Sequence, residues 1–139
     1  MNYYFYGNTA RPSAKNKEYK VDSIRELYDR LSGIWCEYTC TPRLRDKWSQ
    51  DNKTLGQCSI TAFLAQDIFG GKVYGILQEN GGIHCYNEVD GEIFDLTSEQ
   101  FGQEKLIYDK QNEQDRAVQF AKQEKYERYL YLKEKLLNS

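Results

Sequence analysis

The chain has a single histidine, His84, and it lies between a cysteine and an aspartate that are suited to act with it. Cys58 follows the segment Thr54-Leu-Gly-Gln, and Asp95 follows the short run Glu-Ile-Phe. A cysteine nucleophile needs a base to take its proton and an acid to orient that base. In this order the three residues predict a cysteine-dependent enzyme, with Cys58 as nucleophile, His84 as general base and then acid, and Asp95 as the orienting residue.

A helix is predicted to carry Cys58 on its first turn. Apolar residues recur on one face between residues 58 and 69, and two glycines end the pattern. The first turn of a helix has unpaired backbone N–H groups and the positive end of the helix dipole, which lower a thiol pKa and can stabilise an oxyanion. Gln57 and Asn52 are alternative side-chain donors to that oxyanion. Gly56 would let a substrate backbone approach closely.

Three strands are predicted after this helix, at about residues 72–78, 83–89 and 92–96. Asp90-Gly91 lies between the second and third, and Asp-Gly between alternating apolar runs is a strong signal for a two-residue hairpin turn. Such a turn pairs the last residue of the second strand with the first residue of the third. The register of the whole hairpin follows from that pair.

The predicted register decides which side chains share a face of the sheet. Side chains alternate along a strand, so His84 and Asp95 are diagonal neighbours on one face and within reach of a hydrogen bond. The same alternation sends Cys85 to the opposite face, and we expect it to point away from Cys58. The sequence therefore predicts that His84 and Asp95 project together toward the first turn of the cysteine-bearing helix.

The remaining segments complete the predicted fold. Ser23 and Glu26 have capping-box spacing at the start of an N-terminal helix. A long charged C-terminal helix is predicted from about residue 112 to 137, and residues 1–21 are irregular, with Tyr3–Tyr6 as a candidate edge strand. Together the elements predict one α+β domain over all 139 residues, in which a small antiparallel sheet packs against a central cysteine-bearing helix.

Composition argues against several other classes of protein. The 19 Lys and Arg balance 21 Asp and Glu, so no strong field would draw the protein to nucleic acid or to an anionic membrane. No apolar run resembles a signal peptide or a membrane span, and we expect a cytoplasmic protein with four reduced cysteines and no cofactor. Cys36 and Cys40 have the spacing of half a metal site, but no second Cys or His pair completes one. The oligomeric state is left open.

Several segments resemble the YunG-like family of uncharacterised bacterial proteins. They are Thr39-Cys-Thr-Pro-Arg-Leu-Arg, residues 54–71, the His84 segment with Asn87, residues 95–101, and Glu127-Arg-Tyr129. The Cys58, His84 and Asp95 layout is also similar to transglutaminase-like and papain-like cysteine enzymes. That similarity implies an α+β fold with an antiparallel sheet packed on the cysteine-bearing helix. From the three residues themselves we expect a peptide, a protein or a small amide as substrate. The sequence departs from transglutaminase-like proteins after His84, where they usually have a small residue and a tryptophan.

Two other functions are compatible with the same residues. A non-catalytic binding or regulatory domain on a transglutaminase-like scaffold would use the C-terminal helix or the tyrosine-rich N-terminus to contact a partner. A metal-binding protein would use Cys58, His84 and Asp95 as ligands, although the chain offers no further histidine. Hydrolysis, deamidation and acyl transfer share one acyl-enzyme step, and the sequence does not separate them.

Overall fold

The computed structural model describes residues 2–139, which form an α+β fold around a small antiparallel sheet. The sheet has three strands in the order β1-β2-β3, and the predicted α+β class is confirmed. The helices and strands are α1 (Ile24–Ser32), α2 (Cys58–Phe69), β1 (Lys72–Leu77), β2 (Ile83–Val89), β3 (Glu92–Phe94), α3 (Arg116–Phe120) and α4 (Gln123–Leu137). Short 3-10 helices lie at Lys17–Tyr19, Pro42–Lys47, Gln50–Asn52 and Ser98–Phe101.

Helix α2 is the centre of the core, because its mainly apolar sequence packs between the sheet and α4. Its buried side chains include Ile60, Phe63 and Leu64, each fully removed from solvent. Burial of a side chain of that size stabilises a fold by about 1.5–3 kcal/mol. A buried hydrogen bond also joins helix and sheet, since the Asn87 side chain donates to the carbonyl of Ala62 at 2.8 Å. The helix therefore has a fixed position over β2.

The predicted hairpin register is confirmed, and the pairing of β2 with β3 is short. Val89 pairs with Glu92 and Asn87 with Phe94, after which the ladder ends. The backbone N–H of Asp95 instead donates to the carbonyl of Tyr6 at 2.9 Å. The part of β2 between residues 83 and 86 thus has β1 on one side and no β3 partner on the other.

Two sequence predictions at the chain ends need correction. The candidate edge strand Tyr3–Tyr6 reduces to one bridge, between Tyr6 and Asp95. The predicted long C-terminal helix is two helices, because Lys122 adopts an extended conformation between α3 and α4. Asp115 caps α3 by accepting from two backbone N–H groups, so that helix begins later than predicted. The predicted N-terminal helix is confirmed as α1, with Ser23 as its cap.

The turn between α2 and β1 generates a prediction about stability. Gly71 has φ of +78°, and a Cβ there would overlap the backbone carbonyl oxygen of Glu88 in β2. Gly91 has φ of +84°, yet a Cβ there would meet no atom within 4 Å. Gly91→Ala should therefore cost about 1–2 kcal/mol, the usual cost of a left-handed backbone for a residue other than glycine.

Gly71→Ala should cost clearly more, because the backbone of the helix-to-sheet turn must shift as well as adopt the left-handed conformation. Urea unfolding of the two variants beside the parent protein measures both free energies of unfolding. Equal losses would contradict the close packing of the turn against β2.

Candidate active site

The carboxylate of Asp95 is buried, and both of its oxygens have hydrogen-bond partners within the protein. Its side chain is 1% exposed. One oxygen, Oδ2, lies 2.6 Å from His84 Nε2 and accepts from the Tyr108 hydroxyl at 2.8 Å. The other oxygen, Oδ1, accepts from the backbone N–H of Thr97 at 3.2 Å and from its hydroxyl at 3.4 Å. Burial, and then the charge of Asp95, raise the pKa of Tyr108, so its hydroxyl stays protonated and donates.

One ring nitrogen of His84 binds this carboxylate, and the other has no hydrogen-bond partner among the described residues. Its ring is 2% exposed and meets the edge of the Phe101 ring, with 4.7 Å between ring centroids. Nε2 is bound to Asp95, whereas Nδ1 is buried and has no hydrogen-bond partner among residues 2–139. Burial lowers the pKa of His84, but the charge and hydrogen bond of Asp95, together with Cys58, outweigh burial and raise the pKa to about 10.

Cys58 brings a thiol to this histidine from the first turn of α2. The helix has no side-chain cap, so its first N–H groups are left for other acceptors. Cys58 is half-buried, and its Sγ lies 3.8 Å from the carbonyl oxygen of Ile83, in the part of β2 that has no β3 partner. The neighbouring Cys85 thiol and the positive charge of His84 together outweigh burial and lower the pKa of Cys58 well below 9.0.

These shifts favour a thiolate at Cys58 and an imidazolium at His84 near neutral pH. The pKa values of two other thiols are shifted in the opposite direction. Burial raises the pKa of Cys40 to about 11, and the neighbouring Cys58, together with burial, raises the pKa of Cys85 well above 9.0. Cys58 is therefore the thiol best suited to act as a nucleophile.

The prediction that Cys85 points away from Cys58 is wrong. Cys85 does lie on the opposite face of β2 from His84, as the register requires, and it is 3% exposed. That face is the one on which α2 packs, as the bond from Asn87 to α2 shows. Because Cys58 is the first residue of α2, the helix brings its thiol to Cys85 as well as to His84.

The three candidates for oxyanion or substrate binding lie in different surroundings. Gln57 is fully buried, and its amide donates to the carbonyl of Cys36 at 3.2 Å, away from the thiol. Asn52 lies in the 3-10 helix Gln50–Asn52, and its side chain does not line the cavity at Cys58. Gly56 lines that cavity, but a Cβ at Gly56 would collide with Cys40, so the glycine makes room for a buried thiol.

A cavity of about 420 Å³ opens beside the thiol. Cys58, His84 and Cys85 line it together with residues from the Pro42–Lys47 segment, the turn between β1 and β2, and the α3–α4 region. Gln100 also lines the cavity, where its side chain accepts weakly from the N–H of Gly56 at 3.4 Å. A small acyl group therefore has space to reach Sγ.

Several residues of the site escaped the sequence analysis. Tyr108 lies in an irregular segment, and nothing near it in sequence indicates that it reaches Asp95. Phe101 has no pattern around it that distinguishes it from an ordinary apolar residue. Lys125 lies in a charged helix, although the structure places it in the cavity wall with its pKa lowered by burial and by Lys122. Each was missed because its role depends on packing between distant segments.

Within residues 2–139, no three His, Cys, Asp or Glu side chains are arranged as metal ligands. Cys36 and Cys40 are free thiols, and Cys40 donates to the carbonyl of Thr41 at 3.4 Å. The same described part of the chain has no helix that combines the length and apolar character needed to cross a membrane. The fold and the site define an α+β protein in which a thiol and a histidine line one cavity and a buried carboxylate binds the histidine.

Comparison with known proteins assigns this chain to a family. Residues 23–139 match the family model described as YunG protein, and the chain belongs to the YunG family. "Uncharacterized protein YunG" of Bacillus subtilis (strain 168) is 40% identical over 55 residues, which are 40% of this chain and 47% of that relative. The chain thus spans about half the length of the curated relative that it matches. No solved structure matches. The wider similarity to transglutaminase-like proteins stays a prediction.

The pKa shifts predict an order of thiol reactivity. Cys58 should react with iodoacetamide faster than Cys36, Cys40 and Cys85, and its rate should stay high as the pH falls from 9 toward 7, because its pKa is lowered. His84→Ala should move the inflection of the rate profile upward, since the variant loses the positive charge of the imidazolium beside the thiol. Mass spectrometry of labelled peptides gives the rate at each cysteine, and equal rates at all four would argue against an activated thiol.

Cys85 gives a second prediction at the same thiol. Cys85→Ala removes the S–H group that stabilises the Cys58 thiolate, so the Cys58 pKa should rise. Iodoacetamide labelling of Cys58 should then slow severalfold at pH 6 and be unchanged at pH 9.5, where the thiolate is fully formed. Cys36→Ala is the matched control, and it should leave the profile as it is. An unchanged profile in Cys85→Ala would place the source of the low pKa elsewhere.

Proposed function

We propose that this protein is a cysteine-dependent enzyme that acts on an amide or related acyl bond. The observation that carries the proposal is the state of His84, which is bound to Asp95 through Nε2 while its buried Nδ1 lacks a partner beside the Cys58 thiol. An unpaired buried polar atom is costly in a structural histidine, but a general base needs one. The arrangement is similar to papain-like and transglutaminase-like enzymes.

The proposed reaction begins with the Cys58 thiolate. Its sulfur attacks the carbonyl carbon of the substrate, and the carbonyl electron pair moves to the oxygen, where the uncapped N–H groups of the first α2 turn can bind it. The tetrahedral intermediate collapses and breaks the bond to the leaving group. His84, as imidazolium, donates its Nδ1 proton to the leaving amine, and a thioester remains on Cys58.

The second half of the reaction regenerates the thiol. Neutral His84 takes a proton from water or from an acceptor amine, which attacks the thioester carbon and displaces the sulfur. The Cys58 thiolate and the His84 imidazolium form again. Water gives hydrolysis, or deamidation when the first leaving group is ammonia, and an amine gives acyl transfer. The substrate class includes a peptide, a protein side chain or a small amide, and Asp95 orients the imidazole throughout.

A probe that carries a mild acyl electrophile tests this function. It should label Cys58 in the intact protein, and Cys58→Ser should fold normally and lose labelling, because the thiol lies at a helix end. His84→Ala should slow labelling by about 100-fold or more, the usual contribution of a general base. Asp95→Asn should slow it less, because an orienting residue acts only through the imidazole.

Cys36→Ser serves as the matched control, since it removes a partly buried thiol outside the site, and it should be labelled like the parent protein. Thermal unfolding of each variant separates lost chemistry from lost folding. If the parent protein ignores a panel of acyl probes and Cys58→Ser melts several degrees lower, Cys58 is a packing residue.

That outcome would favour the binding or regulatory domain as the second candidate function. A second cavity of about 590 Å³ supports it, because it is lined by Tyr4, Tyr6 and Tyr108 at the tyrosine-rich N-terminal segment. The Tyr4 side chain is 74% exposed. An exposed aromatic surface of this kind is typical of a contact for a partner.

A further inference from the structure

The lining of the cavity at Cys58 is positively charged, whereas the chain as a whole is slightly negative. The protein carries a formal net charge of -2. The described residues that line the cavity nevertheless include four cationic side chains and no carboxylate. The cationic residues are Arg43, Lys122, Lys125 and Arg128. Such an imbalance in a concave site attracts anions, because the low-dielectric walls focus the field.

One of the four cations has a structural partner. Arg128 is 2% exposed, forms an ion pair with Glu124, and donates to the carbonyl of Thr39 at 2.9 Å. Glu124 also lies 3.6 Å from Arg45. Arg128 therefore anchors α4 to the segment before the Pro42–Lys47 helix, and its charge is largely balanced.

The other three cations have no carboxylate partner within residues 2–139. Arg43 lines the cavity beside Gly82, at the turn between β1 and β2. Lys122 immediately precedes α4, and its charge adds to burial in lowering the pKa of Lys125, which lies on the first turns of that helix. Lys125 is half-buried and donates to the side chain of Gln119. Like charges held together around a cavity cost free energy until an anion binds between them.

We propose that the substrate of Cys58 is an acyl donor that carries a negative charge, bound by the three unpaired cations of the cavity, Arg43, Lys122 and Lys125. The proposal rests on the proposed function for its reaction and adds the class of substrate. The break between α3 and α4 supports it, because that break brings Gln119, Lys122 and Lys125 to the same cavity wall. A neutral or cationic acyl donor gains nothing from three unpaired cations.

The cations have one competing role, which is to stabilise the Cys58 thiolate itself. The two roles differ in what the cations do to an electrophile. Stabilisation of the thiolate changes the rate for every electrophile by the same factor at a given pH. Recognition of an anion changes the rate for a charged electrophile relative to a neutral one of the same size.

Iodoacetate and iodoacetamide form such a pair, since they differ mainly by one negative charge. We expect the ratio of their rates at Cys58 to exceed the ratio at a free cysteine peptide by about tenfold, and to fall as NaCl is added. Lys122→Gln, Lys125→Gln and Arg43→Gln should each lower the ratio about threefold, the effect of one unit charge at several ångströms in a mostly aqueous dielectric. Lys133→Gln is the matched control, because Lys133 is on α4 and outside the cavity lining.

Protection of Cys58 from iodoacetamide identifies the kind of anion. Succinate and inorganic phosphate, compared at equal ionic strength, compete for the same cations, and the stronger protector shows whether a carboxylate or a phosphate is preferred. Protection by either supports an anionic substrate. Protection by neither, at concentrations that do not unfold the protein, counts against it.

The experiment separates failure of this inference from failure of the proposed function. In one outcome Cys58 reacts quickly and its rate depends on His84, but the ratio of iodoacetate to iodoacetamide rates equals that of the free peptide and is the same in all three variants. The proposed anionic substrate would then be wrong, and the proposed enzymatic function would still stand. If Cys58 reacts no faster than a free thiol with either reagent and His84→Ala changes nothing, the proposed function is wrong.

Discussion

The buried hydrogen bond between His84 and Asp95 is the constraint on which the rest of the site depends. A carboxylate that is removed from water costs several kcal/mol unless its acceptor positions are filled. Here Thr97, Tyr108 and His84 fill them, so three separate segments must meet at one side chain. The early end of the β2–β3 ladder follows from the same need, because Asp95 turns out of the sheet and bonds to Tyr6 through its backbone.

The parts of this arrangement that the sequence predicted depend on local signals. The Asp90-Gly91 turn determines the hairpin register, and that register places His84 beside Asp95. Helix α2 begins and ends at the predicted residues because apolar periodicity and a glycine stop agree over twelve residues. Register and helix position are the two local facts that bring the thiol, the imidazole and the carboxylate together.

The features that the sequence did not predict depend on contacts between distant segments. Cys85 meets Cys58 because of the face on which α2 packs, and alternation along a strand does not say which face carries the helix. The α3–α4 break occurs at Ala121 and Lys122, neither of which ends helices by its own conformational preference. Tyr108 reaches Asp95 from an irregular segment without any recurring pattern. Helices and strands carry periodic signals in the sequence, whereas the loops that complete this site do not.

The bond from Asp95 to Nε2 also fixes the tautomer of His84. Whenever the ring is neutral its remaining proton stays on Nε2, where the carboxylate accepts it, and the lone pair is on Nδ1. The ring therefore exchanges protons in one direction, toward the cavity end that holds the thiol. In the reaction we propose, the leaving group and the incoming acceptor therefore use the same side of the imidazole in turn, so that departure of the first product precedes entry of the second reactant.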